Sequence, residues 1–168
     1  MHPEDEGPDA VRRATDACLK LLSMRGRSRR ELEQALARKG FTEAVCEAAL
    51  ARVKAWGYLD DERFARERAT LLLGRGRLGP EAVAHRLRAH GLEEGTAQQA
   101  ISEASDAVSF DALATARAVL EKRGLLGRPL GARERARAGR LLDSRGFSED
   151  VIYQLLGEAS LDPSGPEE

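Results

Sequence analysis

The stretch "SRRELEQALARKGF", Ser28–Phe41, decides the fold because the chain repeats it. Its counterparts are "GPEAVAHRLRAHGL", Gly79–Leu92, and "ERARAGRLLDSRGF", Glu134–Phe147. Each ends on a glycine followed by an apolar residue, at Gly40-Phe41, Gly91-Leu92 and Gly146-Phe147, with spacings of 51 and 55 residues. Such a period indicates internal structural repeats. Leu32, Val83 and Ala138 align, as do Leu36, Leu87 and Leu142. Apolar residues four apart share one face of an α-helix. The glycine that follows adopts a positive φ at little cost, which suits a helix C-terminus. Ser28 with Glu31 resembles a capping box. Pro80 suits a first helical turn, where its missing N–H costs nothing.

Outward from these segments the match continues. "TEAVCEAALARVKAWG" puts Val45, Ala49, Leu50 and Val53 on one side of a further helix. "EEGTAQQAISEA" does the same with Ala97, Ala100, Ile101 and Ala104, and "SEDVIYQLLGEA" with Val151, Ile152, Leu155 and Leu156. Leading helices are expected at about 10–24, 60–73 and 107–122. None of these short helices can bury its stripe alone, so packing within and between repeats must stabilise them. No stretch shows convincing strand alternation. The reading is all-α, with three tandem three-helix repeats forming an elongated, curved modular body. Repeats are expected at 10–59, 60–106 and 107–158, between flexible acidic tails at 1–9 and 159–168. "GLLGRPLG", Gly124–Gly131, lengthens a turn inside the third repeat.

At the first seam stands "WGYLDDERFARE", Trp56–Glu67, with the chain's only Trp. Trp56 and Leu59 are expected to pack the end of repeat one, and Gly57 to release the helix. Asp60 is the expected N-cap of the next helix, with Asp61 in its first turn facing an arginine or a partner. Phe64 should return to the core, while Tyr58 is left open between packing and partial exposure. Asp60 and Asp61 are adjacent and do not share a helix face, which argues against a carboxylate pair for catalysis or metal binding.

Other chemistry finds little support. Cys18 and Cys46 fall at apolar helical positions and read as buried free thiols, with no CxxC to suggest zinc. His85 and His90, five apart, suit surface positions better than a ligand pair. Ser28 and Ser148 read as caps rather than nucleophiles. "GRGRLGP", Gly74–Pro80, lacks the Lys-Ser/Thr ending of a phosphate loop. No catalytic residue, cofactor or metal is expected, and the chain does not read as an enzyme. The N-terminus lacks a signal peptide's basic start and apolar run. The cluster "TLLLG" is too short to span a bilayer. A cytoplasmic protein without membrane association is expected.

The formal net charge of -1 conceals an asymmetry. Residues 1–9 carry four acids and 158–168 another four, with no Lys or Arg in either. Without them, 27 basic side chains face 20 acidic ones. Residues 63–90 hold Arg63, Arg66, Arg68, Arg75, Arg77, Arg86 and Arg88 against Glu67 and Glu81. Residues 117–145 hold nine Lys or Arg against three acids, among them Arg133, Arg135, Arg137 and Arg140. Arginine-rich faces meet phosphates or carboxylates with directional bonds. Of these, Arg63, Arg66, Arg75, Arg77, Arg86, Arg88, Arg133, Arg135, Arg137 and Arg140 are the candidate partner contacts.

The chain closely resembles the RecX family, regulators of the bacterial RecA recombinase. The resemblance rests on "RGRSRRELEQALARKGF", on "GYLDDERFARE" at Gly57–Glu67, on "GPEAVAHRLRAHGL" and on "LLDSRGFSEDVI", and it covers about residues 14–158. It implies three tandem three-helix repeats and a monomer that binds in the groove of the RecA–DNA filament. It further implies inhibition of ATP hydrolysis, strand exchange and coprotease action, within DNA repair, recombination and the SOS response. In some members, capping of filament growth or filament disassembly is implied. The candidate arginines would then contact recombinase or DNA. The alternative is a direct DNA-binding or architectural helical protein, although no recognition helix is legible.

Overall fold

The computed structural model describes residues 6–157, so 1–5 and the stretch 158–168 lie outside it. The expected C-terminal acidic tail therefore falls outside the described residues, as does most of the N-terminal one. Among the described residues all regular structure is α-helical. The order is α1 (Pro8–Met24), α2 (Arg29–Arg38), α3 (Glu43–Ala55), α4 (Asp61–Gly74), α5 (Pro80–Ala89), α6 (Glu94–Ala107), α7 (Ala112–Lys122), α8 (Ala132–Ser144) and α9 (Glu149–Leu156). The third leading helix, α7, starts later than 107. Ser109 adopts a φ of +51°, which breaks the helix, and Asp111 caps the new start by accepting the Ala114 N–H at 2.9 Å.

The helices form two compact units. One runs up to Ala65 and adds Arg88–Thr96; the other comprises Arg66–Leu87 and the chain from Ala97. The first unit is built on α1, α2 and α3. Ala10, Ala14 and Cys18 recur every four residues along α1 and are fully buried. Such small side chains let a neighbouring helix come close. Leu32 and Leu36 of α2 and Val45, Ala49, Leu50 and Val53 of α3 complete the core. Truncating any of its fully buried leucines to alanine should cost about 2–5 kcal/mol.

In the second unit Ala116, Val119 and Leu120 of α7 meet Ala138 and Leu142 of α8 and Ile152 and Leu156 of α9. Leu125 from the long turn is buried among them, with Leu126 and Leu130 against the cluster. Arg128 grips Glu134 with two hydrogen bonds, at 2.7 and 3.0 Å, and Glu134 also accepts the Gly131 N–H at 3.3 Å. That clip fixes the start of α8.

The six aligned stripe residues, Leu32, Val83, Ala138, Leu36, Leu87 and Leu142, are all 0% exposed. The three repeat glycines all adopt positive φ: +90° at Gly40, +80° at Gly91 and +81° at Gly146. Each unit also holds one version of the same close joint. In the first, Ser28 at the start of α2 donates its hydroxyl to the His90 carbonyl at 2.5 Å, and Gly91 lies hard against the Arg30 side chain. In the second, Gly79 before α5 donates its N–H to the Arg145 carbonyl at 2.7 Å. Glu81 N–H reaches the Gly146 carbonyl at 3.2 Å, and Gly146 lies hard against Ala82. In the second joint the orphan amides at a helix start thus find carbonyls at another helix end, and in the first a serine hydroxyl makes that bond.

Candidate interaction surfaces

The seam stretch is ordered by its turn. Trp56 caps α3, and Gly57 follows at a φ of +80°. Tyr58 and Leu59 both return their N–H groups to the Val53 carbonyl, at 2.9 and 3.3 Å. This swings Leu59 into the core, 5% exposed. Trp56, expected to pack there too, is instead 55% exposed. Leu59 joins the core cluster of the first unit, and Trp56 does not. Tyr58 is also exposed, at 57%. Asp60 caps α4, accepting the Arg63 N–H at 3.0 Å, and Asp61 accepts the Arg29 N–H at 2.8 Å. Phe64 is half-buried beside Gly26, with its ring edge-on to His90 at 5.3 Å.

His90 is a second departure from expectation. Its sequence position suits a surface residue, yet its Nδ1 lies 2.7 Å from the Glu31 carboxylate. The Ser28–His90 joint brings it there, and a contact between distant segments leaves no trace in local periodicity. The same contact alters the capping box. Ser28 accepts the Glu31 N–H at 3.2 Å, but Glu31 turns its carboxylate to Arg25 (2.7 Å) and His90 rather than back to Ser28. Burial alone would raise the Glu31 carboxyl, but those two hydrogen bonds outweigh it and hold it below its ordinary range.

A cleft of about 910 Å3 adjoins the seam in the first unit. Its walls carry Arg29, Arg30 and Lys54 against Glu33, Asp60, Asp61, Glu62 and Glu93. Asp60 and Asp61 are occupied as helix-end acceptors, so they do not converge as an acid–base pair. Among the described residues, no group of three or more His, Cys, Asp or Glu is placed to hold a metal. Burial pushes the Cys18 thiol up to about 11, helped by Cys46 beside it, and burial also raises Cys46. Both therefore stay protonated, and the thiol is the unreactive form. Among the described residues no helix is long and apolar enough to cross a membrane.

The candidate arginines divide between the units. In the first, Arg63 is exposed and reaches the Gly57 carbonyl at 3.4 Å, and Arg88 pairs with Glu94 at 3.0 Å. In the second, Arg66 lies 3.6 Å from Glu103, and Arg75, Arg77 and Arg86 are exposed. Arg133, Arg137 and Arg140 are exposed along α8 at i, i+4 and i+7. That spacing forms one stripe, opposite the buried Ala138 and Leu142. Arg135 falls outside it, half-buried, donating to the Leu130 carbonyl at 3.3 Å. Arg145, which is not among the candidates from sequence, donates to the Arg77 carbonyl at 3.4 Å and pins the Arg75–Arg77 loop to the end of α8. One signal does mark it: Lys39, His90 and Arg145 all directly precede a repeat glycine.

Comparison with known proteins places this architecture. Residues 14–52 match the family model for the first three-helix domain of RecX, and residues 60–101 match the model for the second. A regulatory protein RecX from Halorhodospira halophila is 36% identical, covering 92% of this chain and 91% of its own. Another from Leptothrix cholodnii is 39% identical over 82% of this chain and 83% of its own. The crystal structure of RecX from Lactobacillus salivarius superposes with a TM-score of 0.73 at 19% identity, covering 92% of this chain and 99% of that one. Shared helices, repeats and sequence together make this chain a member of the RecX family of regulatory proteins.

Proposed function

We propose that this protein regulates the RecA recombinase, mainly as an inhibitor. It binds as a monomer in the groove of the RecA–DNA filament, in the cytoplasm, and lowers ATP hydrolysis, strand exchange and coprotease action. Membership of the RecX family is the observation that carries this reading. The α8 stripe supplies a physical means. Arg133, Arg137 and Arg140 turn outward from a helix whose opposite face is locked into the core. Guanidinium groups so spaced would meet phosphates or carboxylates along a periodic partner with several charge-assisted bonds at once. Regulation of this kind needs binding alone and no bond-breaking step in the protein itself.

The test is filament binding by wild type and by charge-reversed variants, followed by RecA ATPase and strand-exchange assays. The Arg133→Glu/Arg137→Glu/Arg140→Glu variant should bind RecA filaments at least about tenfold more weakly, since each exposed charge pair is worth about 0.5 kcal/mol. The deficit should shrink as salt rises. The Arg75→Glu/Arg77→Glu variant tests the loop separately. Equal filament affinity in both folded variants would reject the basic-contact assignment. Wild-type protein that neither binds filaments nor slows their ATPase would reject the function.

A further inference from the structure

The second unit carries an apolar cleft that its own core does not fill. The cleft measures about 260 Å3, and it is walled by Leu125, Leu126, Pro129 and Leu130 of the long turn and by Leu155 and Leu156 of α9. Leu125 and Leu156 are buried, but Leu126, Leu130 and Leu155 are only half-buried. An apolar cavity of about 150 Å3 holds a benzene-sized group, so there is room for an aliphatic side chain. Arg128 and Arg135 complete the lining, which contains no acid.

The chain leaves α9 at this cleft. Gly157 closes the helix at a φ of +80°, returning its N–H to the Tyr153 carbonyl at 2.8 Å. The sequence then reads "EASLDPSGPEE", 158–168, with four acids, no Lys or Arg, and Leu161 as its one large apolar side chain. Leu161 comes five residues after Leu156, which itself lines the cleft. Fully extended, residues 158–168 reach about 36 Å, against about 10 Å from Arg133 to Arg140 along α8. The ground they would cross has the opposite charge. Residues 121–143 hold seven Lys or Arg against Glu121, Glu134 and Asp143. Glu134 is already held by Arg128 and the Gly131 N–H. Asp143 stands in the last turn of α8, at the other end of that helix from Arg135 and the cleft. The basic surplus includes the outward stripe Arg133, Arg137 and Arg140.

We propose that residues 158–168 dock on their own fold, with Leu161 in the leucine cleft and the carboxylates against the α8 arginines. A tethered segment competes at a millimolar effective concentration, so contacts that are weak one by one suffice. Its acids occupy guanidinium groups that a partner would use, and a partner must displace them. This consequence rests on the reading of α8 as a partner-binding face, whereas the docking itself does not.

The test uses the full chain with a nitroxide spin label on Ser164→Cys. Cys18 and Cys46 are 0% and 4% exposed, so the label attaches to the new thiol. In amide NMR spectra the N–H signals of Leu126, Leu130, Arg133 and Arg137 should lose intensity to the label, and the dispersion of the same spectra reports whether each variant is folded. Leu161→Ser keeps every charge of the segment and should restore most of that intensity. The Glu158→Gln/Asp162→Asn/Glu167→Gln/Glu168→Gln variant should do the same. Spin-labelled chains mixed with isotope-labelled chains that carry no spin label should leave the signals unchanged, because the contact lies within one molecule. Binding to RecA filaments is the second readout: Leu161→Ser should bind about 2- to 10-fold more tightly than wild type, and should gain nothing in the Arg133→Glu/Arg137→Glu/Arg140→Glu background. Because Leu161→Ser leaves the net charge unchanged, its gain reads the docking and not the overall charge. The docking is overturned by no loss of intensity, by a loss that survives either set of substitutions, or by a loss that arises between separate molecules. Unchanged filament affinity in Leu161→Ser would overturn the screening of α8. A wild type that binds no filament refutes the recombinase reading instead, and the spin label still decides the docking.

Discussion

Replacing Gly146 with alanine probes the joint in the second unit, and Gly40 supplies the control. Both glycines lie in the left-handed region, at φ +81° and +90°. An L-residue there costs about 1–2 kcal/mol. A Cβ added at Gly40 meets nothing within 4 Å, so Gly40→Ala should cost only that amount. A Cβ added at Gly146 runs into the backbone nitrogen and Cα of Ala82, as well as its Cβ. Backbone atoms cannot rotate aside, so the start of α5 must move away from the end of α8. Overpacking of this kind adds about 1–3 kcal/mol. The shift also strains the bonds from Gly79 to Arg145 and from Glu81 to Gly146, each contributing about 0.5–1.5 kcal/mol. Gly146→Ala should therefore cost about 3–5 kcal/mol. Gly91→Ala should fall between the two, since the nearest atoms its Cβ meets belong to the Arg30 side chain rather than to backbone. Urea denaturation followed by far-UV circular dichroism measures all three. In thermal melts, at about 2–4 °C per kcal/mol, Gly40→Ala should melt about 4 °C lower and Gly146→Ala about 12 °C lower. Equal destabilisation in Gly40→Ala and Gly146→Ala would show that no close joint exists at Gly146.

Within the seam, Leu59→Ala should cost about 2–4 kcal/mol, whereas Trp56→Ala should stay within about 0.5 kcal/mol of wild type in the same denaturation assay. Phe64→Ala should cost about 1.5–2.5 kcal/mol, below the roughly 3–5 of a fully buried aromatic, because its ring is half-buried against His90 and Gly26. Glu31 titrates below its ordinary value of 4.5 in the folded protein, so its contribution is present above that pH and disappears as pH falls through the lower folded value. Glu31→Gln should accordingly flatten the acid side of a stability-against-pH profile while leaving a stability offset at neutral pH.

Much of the architecture is legible in the chain because it depends on local spacing. The stripe Leu32–Leu36 and its two counterparts follow from apolar residues one helical turn apart, and all six are fully buried. The repeat glycines announce helix ends, since few other residues tolerate that φ. Asp60 and Ser148 announce helix starts for an equally local reason: a short acceptor reaches an amide three residues on, at 3.0 and 3.4 Å. Arg133, Arg137 and Arg140 share a face for the same geometric reason that Ala138 and Leu142 do.

What local spacing does not reveal lies where segments distant in the chain meet. Trp56 has the periodicity of a core residue, but it stays exposed while Leu59, returned by the turn, joins the core. Whether an end-of-helix aromatic is covered depends on which neighbour arrives above it. His90 has the sequence setting of a surface residue, but the Ser28 hydroxyl, 62 residues away, takes its carbonyl and sets its ring beside Glu31 and Phe64. Glu31 could complete a local capping box or join that cluster, and the cluster offers it two charge-assisted partners. The order of helices, their stripes and their caps are settled within windows of a few residues, because backbone hydrogen bonds and side-chain periodicity act at that range. The joints at Gly91 and Gly146, the exposed rings of the seam and the pinning of the Arg75–Arg77 loop by Arg145 are settled only by packing, which brings together residues that no window of sequence contains.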